Sequence, residues 1–240
     1  MAQISNKTTA SRTAQNLPFG EVGGASYYQR TEVSNSDLSW LKNQLFPRDM
    51  PDPTNAYKFG SLIDAMITEP DRVDYFKRTL DDEVYSVEDF QKAEAMKRSF
   101  WADEFSKLIA DNADGQKQMT KYLPMNYKGF DFALNVRCKW DLWKSDWGWG
   151  GDIKSTTAET QKQFEDACRH FDYDRQRAWY MDIAGSQRDV LIGISKKNFK
   201  VFKISINRDS AFYKDGKEKY LSLAFRWYMM FGENKNFKTY

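Results

Sequence analysis

The hydrophobic positions of this chain change their spacing near residue 129. Before it, apolar residues recur every three or four positions, and after it a long segment alternates every second position. The helical spacing predicts helices over residues 38–45, 56–67 and 87–110. Ser34-Asn35-Ser36-Asp37 supplies N-cap residues for the first helix, and Glu69-Pro70 ends the second.

The alternating segment reads GFDFALNVRCKWDLW, which is typical of a strand with one apolar and one polar face. Asp141 lies on its polar face. A glycine-rich turn follows, and a second strand at residues 151–155 places Asp152 and Lys154 on one face and Ile153 on the other. If the two strands pair across the turn, we expect Asp141, Asp152 and Lys154 to converge.

The remaining pattern predicts two helices, a strand pair and a long final helix, at residues 158–171, 173–185, 189–194, 199–206 and 210–231. No internal repeat is visible. The order of helices, strands, helices and strands predicts an α/β fold, in which helices flank a mixed central β-sheet.

The composition predicts a packed, soluble protein of 240 residues, with 41% hydrophobic and 16% aromatic residues. Residues 1–25 are rich in small polar residues and are expected to form a flexible arm, which leaves residues 26–240 as a single domain. No apolar run reaches the roughly 18 residues that span a bilayer, and the N-terminus lacks the apolar core of a secretory signal. We therefore expect a cytoplasmic protein without membrane contact.

The two cysteines, Cys138 and Cys168, show no CxxC or Cys/His spacing. This excludes zinc fingers and four-cysteine iron–sulfur clusters. A disulfide between them would be unusual in a reducing compartment.

The formal net charge of +2 does not by itself indicate a nucleic-acid partner, but the basic residues are unevenly distributed. Residues 196–219 concentrate lysines and arginines against three acids, and such a segment can follow phosphates. Its candidate DNA contacts are Lys196, Lys197, Lys200 and Lys203. A solvated face with charged ends explains the same charges equally well.

The chemistry of Asp141, Asp152 and Lys154 suits phosphodiester hydrolysis, which needs a polarised phosphoryl oxygen, an activated water and charge relief on the leaving oxygen. Carboxylates favour Mg²⁺ or Mn²⁺, and a lysine can orient the water and stabilise negative charge. A D-x-K tripeptide alone is a weak motif. It is more specific here because it follows an aspartate on the neighbouring strand. These residues therefore predict a nuclease site.

Two further residue pairs lie at helical spacing: Gln176 with Tyr180, and Gly60 with Asp64. Together with the strand residues they resemble the RecB-like branch of the PD-(D/E)xK nuclease superfamily, and within it the RecE-type phage and prophage exonucleases. That family carries a GxxxH helix, a strand Asp, a D-x-K and a Q-xxx-Y helix in this order. The resemblance covers about residues 34–206.

The resemblance implies a restriction-endonuclease-like core and an exonuclease that resects the ends of linear double-stranded DNA. It assigns a role to each quoted residue: metal ligation by Asp64, Asp141, Asp152 and the Ile153 carbonyl, water activation by Lys154, and contacts to the site or the DNA backbone by Gln176 and Tyr180. It also implies Mg²⁺ (or Mn²⁺) as cofactor, a RecT-type annealing protein as partner, a homo-oligomeric ring, and the cytoplasm of a bacterial host.

The chain departs from the family pattern at two positions. Asp64 stands where the family has a metal-ligating histidine, and a carboxylate can bind the same metal. Where family members often carry a further glutamate, this chain has Gln116 or Gln118. These departures motivate a second hypothesis, a catalytically weak or inactive relative that binds DNA or a partner protein. A third hypothesis is a structure-specific endonuclease on the same fold.

Each site residue taken alone also has a structural explanation. Asp141 can be an ordinary strand-end residue, Asp152 can cap the glycine-rich turn, and Gln176 with Tyr180 can form a polar helix face. Lys154 is the hardest to explain in this way, because unpaired lysines are rarely buried.

Overall fold

The computed structural model describes residue 27, residues 30–47 and residues 52–232, so the predicted arm at residues 1–25 lies outside the described residues. The helices are α1 (Asn35–Leu45), α2 (Thr54–Thr68), α3 (Val87–Ala102), α4 (Glu104–Ala110), α5 (Gln161–His170), α6 (Tyr173–Ala184) and α7 (Ala211–Phe231). Within these ranges, no helix has the length and apolarity to cross a membrane.

The strands form a small and a large sheet. They are β1 (Val73–Asp74), β2 (Thr79–Leu80), β3 (Glu83–Val84), β4 (Asp114–Tyr127), β5 (Phe130–Lys144), β6 (Trp149–Thr156), β7 (Arg188–Ser195) and β8 (Val201–Asn207). The large sheet has the order β4-β5-β6-β7-β8, in which β6 and β7 are parallel and the other neighbours antiparallel. This mixed sheet confirms the predicted α/β fold.

Helices cover the large sheet on both faces. On one face, α1, α5, α6 and α7 pack around a core that includes Trp140, Trp179 and Tyr220. On the other face, α2, α3 and α4 enclose a second core that includes Ile153 and Ile192. Helices α5 and α6 form the crossover between the parallel strands β6 and β7, as a parallel pair requires.

The predicted helix over residues 87–110 is wrong, because Asp103 divides it into α3 and α4. Asp103 has extended backbone angles, and its carboxylate accepts a hydrogen bond from the Ser106 amide at 2.9 Å. An aspartate that caps a new helix competes with continuation of the old one. The apolar spacing continues across Asp103, so periodicity alone did not reveal the break.

Strand β4 was not predicted from the sequence, although it pairs with β5 along almost its whole length. It forms one edge of the large sheet, and most of its side chains are exposed. Its apolar face is short: Leu123 and Met125 are buried and Met119 is partly buried, but Lys121 interrupts their alternation and weakens the periodic signal.

The glycine-rich turn brings β6 close to β5. Gly148 has a φ of 66°, which a side chain rarely adopts. A Cβ atom at Gly150 would lie 2.0 Å from the Leu142 carbonyl oxygen. The glycines are therefore needed for the turn and for the strand pairing that positions the residues after it.

Substituting Gly150 with alanine tests this close approach. We expect Gly150→Ala to lower the free energy of unfolding by about 1–3 kcal/mol, because the added methyl group overlaps backbone that cannot move aside. Gly60→Ala is the matched control, since its Cβ would meet only the Ser155 Oγ, at 4.0 Å. In this helix interior the control should gain about 0.5–1 kcal/mol. Urea denaturation measures both, and equal stability of the two variants would contradict the packing argument.

Candidate active site

Strands β5 and β6 separate where the predicted site residues lie. Their last registered pair is Leu142 with Gly151, and Asp141 and Asp152 are the first residues beyond it. We call this point the β5–β6 fork. Here the Asp141 Oδ2 accepts a hydrogen bond from the Ile153 amide at 2.8 Å. A side chain thus satisfies a strand N–H group that would otherwise pair with the neighbouring backbone.

Asp152 and Lys154 share one face of β6, as predicted, while Ile153 packs into the core on the other face. The Lys154 ammonium forms an ion pair with Asp152 and lies 5.0 Å from the centre of the Tyr173 ring. Burial acts to lower the pKa of Lys154, but the Asp152 and Asp141 carboxylates outweigh it and raise the pKa. Lys154 therefore remains a cation, suited to stabilising negative charge rather than to accepting a proton.

Asp64 approaches the fork from α2, on the opposite face of the sheet. Its Oδ2 accepts a hydrogen bond from Gln116 Nε2 at 2.9 Å. Its Oδ1 is shielded from solvent and has no hydrogen-bond partner in the described part of the chain. Burial, together with the charges of Asp141 and Asp152, raises the pKa of Asp64 well above its ordinary value.

The three aspartates also act on one another. Burial and the neighbouring Asp152 raise the pKa of Asp141 to about 6, although Lys154 and the Ile153 amide act in the opposite direction. Asp64, Asp141, Asp152 and Lys154, which we call the acidic site, have a formal net charge of −2 when all are ionised. The unpartnered Asp64 oxygen and the mutual repulsion of hard oxygen donors fit a divalent cation such as Mg²⁺ or Mn²⁺.

The aspartates do not already form a closed metal cage. Within residues 27, 30–47 and 52–232, no three His, Cys, Asp or Glu side chains are grouped as ligands of one ion. Both oxygens of Asp152 instead contact cations, Lys154 on one side and Arg177 on the other. The predicted ligands are thus near one another, with Asp152 already engaged.

Sequence reasoning missed Arg177, which is fully buried beneath the site. Its Nη1 donates to the Asp152 Oδ1 at 2.8 Å, and its Nε donates to the Asp189 Oδ2 at 2.7 Å. The Trp140 and Tyr180 rings lie 4.5 and 4.6 Å from the guanidinium carbon. Burial acts to lower the pKa of Arg177, but the Asp189 and Asp152 carboxylates outweigh it and raise the pKa. Burial also raises the pKa of Asp189, although Arg177 acts in the opposite direction. A signal was present in the sequence, because Arg177 lies inside the Q-xxx-Y motif.

The Q-xxx-Y pair lies on α6 as predicted, but its two members differ. Tyr180 is buried beside Arg177 and Trp140, and burial raises the pKa of its hydroxyl well above the ordinary value. Tyr180 thus packs against Arg177, which in turn donates to Asp152. Gln176 has a buried Oε1 without a hydrogen-bond partner among the residues described.

The arrangement of these residues agrees with a family comparison. Residues 37–219 match the model of a family described as a PDDEXK-like domain of unknown function (DUF3799). The chain belongs to this family. The predicted relationship to the PD-(D/E)xK superfamily is thereby confirmed. No curated protein shows significant similarity to the chain.

Solved structures show the same fold at low identity. One of them is a candidate exonuclease from Eubacterium rectale. It matches this PDDEXK-like domain with a TM-score of 0.56 and 15% sequence identity, and the match covers 90% of this chain and 88% of the Eubacterium rectale chain. A phage related exonuclease from Haemophilus somnus 129PT matches with a TM-score of 0.40 and 12% identity, over 80% of this chain and 92% of its own. An alkaline exonuclease from Laribacter hongkongensis matches with a TM-score of 0.31 and 12% identity, over 83% of this chain and 89% of its own. Of these three, the first supports a shared fold.

Four lysines were predicted to contact DNA, and two of them form ion pairs within this PDDEXK-like domain. Lys197 lies 2.9 Å from Glu159, and Lys203 pairs with Asp103. Their positive charges are therefore compensated locally, in agreement with the alternative of a solvated charged face.

Lys196 and Lys200 have different surroundings. Lys196 lies 4.4 Å from the centre of the Phe59 ring on α2, and its amide donates to the Thr156 carbonyl at the end of β6 at 2.7 Å. It is thus close to the strand end that carries Lys154. Lys200 is exposed. Of the four, Lys196 is the best placed to meet a ligand of the acidic site.

The raised pKa of Asp141 predicts a pH-dependent effect on stability. Because the folded-state pKa of about 6 exceeds the ordinary value of 3.8, ionised Asp141 destabilises the fold as pH rises through this interval, and the full penalty remains above it. Asp141→Asn keeps an oxygen for the Ile153 amide. We expect it to be more stable than the wild type by about 1–3 kcal/mol at pH 8, with the difference vanishing near pH 4.

Denaturation of the metal-free protein at several pH values measures this difference. Asp131→Asn, at the exposed opposite end of β5, is the control for the same chemical replacement and should change the stability at pH 8 by less than about 0.5 kcal/mol. A lower stability of Asp141→Asn at pH 8 would show that the Asp141 carboxylate is favourably paired instead of repelled.

Proposed function

We propose that this PDDEXK-like domain is a metal-dependent deoxyribonuclease that hydrolyses phosphodiester bonds at the ends of linear double-stranded DNA. The observation that carries the proposal is the acidic site itself. Carboxylates from both faces of the sheet meet at the β5–β6 fork, where burial and the neighbouring carboxylates raise the pKa of Asp64 and Asp141, with the Lys154 ammonium beside them. Such a site suits a divalent cation and a phosphate ester together.

The ligands of the cation would be Asp64, Asp141, Asp152 and the Ile153 carbonyl. The N–H and C=O groups of one strand residue point to the same edge, so the Ile153 carbonyl faces the fork together with its amide. A divalent cation, when bound, polarises a phosphoryl oxygen and makes water a stronger nucleophile. Without the cation, Lys154 and Arg177 compensate the negative charge of Asp152 through their ion pairs with it.

Lys154 would stabilise the charge that develops on the phosphate and orient the attacking water, since its raised pKa keeps it protonated. Gln176 would contact the water or the DNA backbone through its unpartnered oxygen. Tyr180 would act indirectly, by packing against Arg177.

The choice of DNA ends as substrate rests on the resemblance to RecE-type exonucleases. By the same resemblance we propose a role in phage recombination, with a RecT-type annealing protein as partner and a homo-oligomeric ring as the working form. Lys196 would contact a phosphate next to the site, because it lies beside the end of β6.

A second candidate function is binding without catalysis. It is favoured by one observation, that Asp152 has cations on both oxygens and the aspartates form no closed cage within the described ranges. Mn²⁺ binding separates the two functions, because a site that has lost its metal chemistry should not bind the ion.

The nuclease proposal is tested with linear duplex DNA labelled at the 5′ or the 3′ end, with circular duplex DNA alongside, in the presence of Mg²⁺. We expect loss of label from linear DNA and no cleavage of circles. Lys154→Met should reduce the rate by about 100- to 1,000-fold, as expected when one group that stabilises the transition state is removed.

Lys162→Met is the matched control, because Lys162 lies on α5 in an exposed ion pair with Asp166 and should retain full activity. Cleavage of circular DNA would indicate an endonuclease. Intact DNA with both the wild type and Lys154→Met, together with DNA binding, would support the binding function instead.

The proposed DNA contact of Lys196 predicts a change in salt dependence. Removing one phosphate contact should weaken binding and reduce the slope of log K against log salt by about 0.9. Fluorescence anisotropy with duplex DNA in EDTA measures this for Lys196→Gln. Lys203→Gln is the comparison, since its ammonium already pairs with Asp103 and its slope should match the wild type. Equal slopes for all three proteins would exclude Lys196 as a phosphate contact.

A further inference from the structure

Beneath the acidic site, Arg177 joins two carboxylates that belong to neighbouring strands. We propose that Arg177, braced by Asp189, is a positioning residue that fixes the Asp152 carboxylate, so that its Oδ2 remains the oxygen offered to the metal. This inference rests on the proposed metal-dependent function and adds two residues to it that had no role in the predicted motifs.

The geometry of the sheet explains why one side chain reaches both carboxylates. Asp152 on β6 is registered with Leu191 on β7, and Asp189 precedes Leu191 by two residues. Asp152 and Asp189 therefore lie on the same face of adjacent strands. Arg177 descends from α6 onto this face and donates to one oxygen of each, at 2.8 and 2.7 Å.

The surroundings of Arg177 hold it in place. Its side chain has no exposed surface, and the rings of Trp140 and Tyr180 pack against the guanidinium. Asp189 is also fixed, because its second oxygen accepts a hydrogen bond from the Val190 amide at 2.7 Å. A planar guanidinium held at both ends sets the orientation of the Asp152 carboxylate, which a lysine with one flexible ammonium would not do.

The two oxygens of Asp152 differ in how readily they can be released. The Oδ1 is held by the fully buried Arg177. The Oδ2 contacts Lys154, whose side chain is 18% exposed and ends in a rotatable ammonium. Lys154 would therefore leave the Oδ2 more readily than Arg177 would leave the Oδ1 when these residues hold a metal ion.

A stabilising role alone explains Arg177 poorly. A buried ion pair loses the hydration of both charges, and its replacement by apolar residues is often neutral or stabilising. The pair of Arg177 with Asp189 is also neutral as a unit, so it orients Asp152 without adding a net positive charge that would repel a divalent ion. Residues that orient a metal ligand from behind have this arrangement.

The test is calorimetric titration of the full chain with Mn²⁺, for the wild type and for the double variant Arg177→Met, Asp189→Asn. The double variant keeps the net charge and removes the positioning contact. We expect its dissociation constant for Mn²⁺ to rise by about 10- to 100-fold. The matched control is Arg208→Met with Asp182→Asn, a second arginine–aspartate contact at the other end of α6. The control should lower the melting temperature but leave Mn²⁺ affinity unchanged.

The possible outcomes separate the two proposals. If the wild type binds Mn²⁺ and the double variant binds it equally well, the positioning role is overturned while the metal-dependent function stands. If the wild type does not bind Mn²⁺, both fall together. If the double variant does not fold, Arg177→Lys decides, because it keeps the charge but cannot hold both carboxylates. It should bind Mn²⁺ several-fold more weakly than the wild type, and unchanged affinity would overturn the positioning role.

Discussion

The hydrogen bond from the Ile153 amide to the Asp141 carboxylate is the interaction on which the candidate site depends. Beyond Leu142 and Gly151 the registered pairing of β6 with β5 ends, and an unpaired strand N–H group would be costly in this buried region. The Asp141 side chain meets that need without closing the gap between the strands. The opening between β5 and β6 therefore exists because the Asp141 carboxylate, instead of a backbone carbonyl of β5, accepts the hydrogen bond of the Ile153 amide.

The opening brings together groups from two layers that the sheet would otherwise separate. Asp64 comes from the α2 side, whereas Lys154 and Arg177 lie on the α6 side. Burial is the largest cause of the raised pKa of Asp64 and Asp141, and the neighbouring aspartates add to it against the attraction of Lys154. The site thus retains an unfavourable negative charge, which a divalent cation would relieve.

The sequence was most informative where one face of an element is apolar and the other is not. The alternation along β5 predicted the strand and the polar face that carries Asp141, and the D-x-K tripeptide placed Lys154 on the correct face of β6. Periodicity is weaker along the edge strand β4, where Lys121 interrupts the apolar face, and it does not show the break at Asp103. The ion pairs of Lys197 and Lys203 involve partners that are distant in sequence, and no local pattern identifies such partners.

The two departures from the family pattern meet in a single contact. By the resemblance to RecE-type exonucleases, Asp64 stands in the place of a histidine and adds a negative charge, and Gln116 or Gln118 stands where a glutamate is often found. Gln116 donates directly to Asp64 at 2.9 Å and also to Thr68 at 3.1 Å, so one of the two candidate glutamines holds the added carboxylate. This pair of side chains, an aspartate on α2 and an amide on β4, therefore supplies one carboxylate to the acidic site. The two departures do not by themselves indicate that the site has lost its acidic groups.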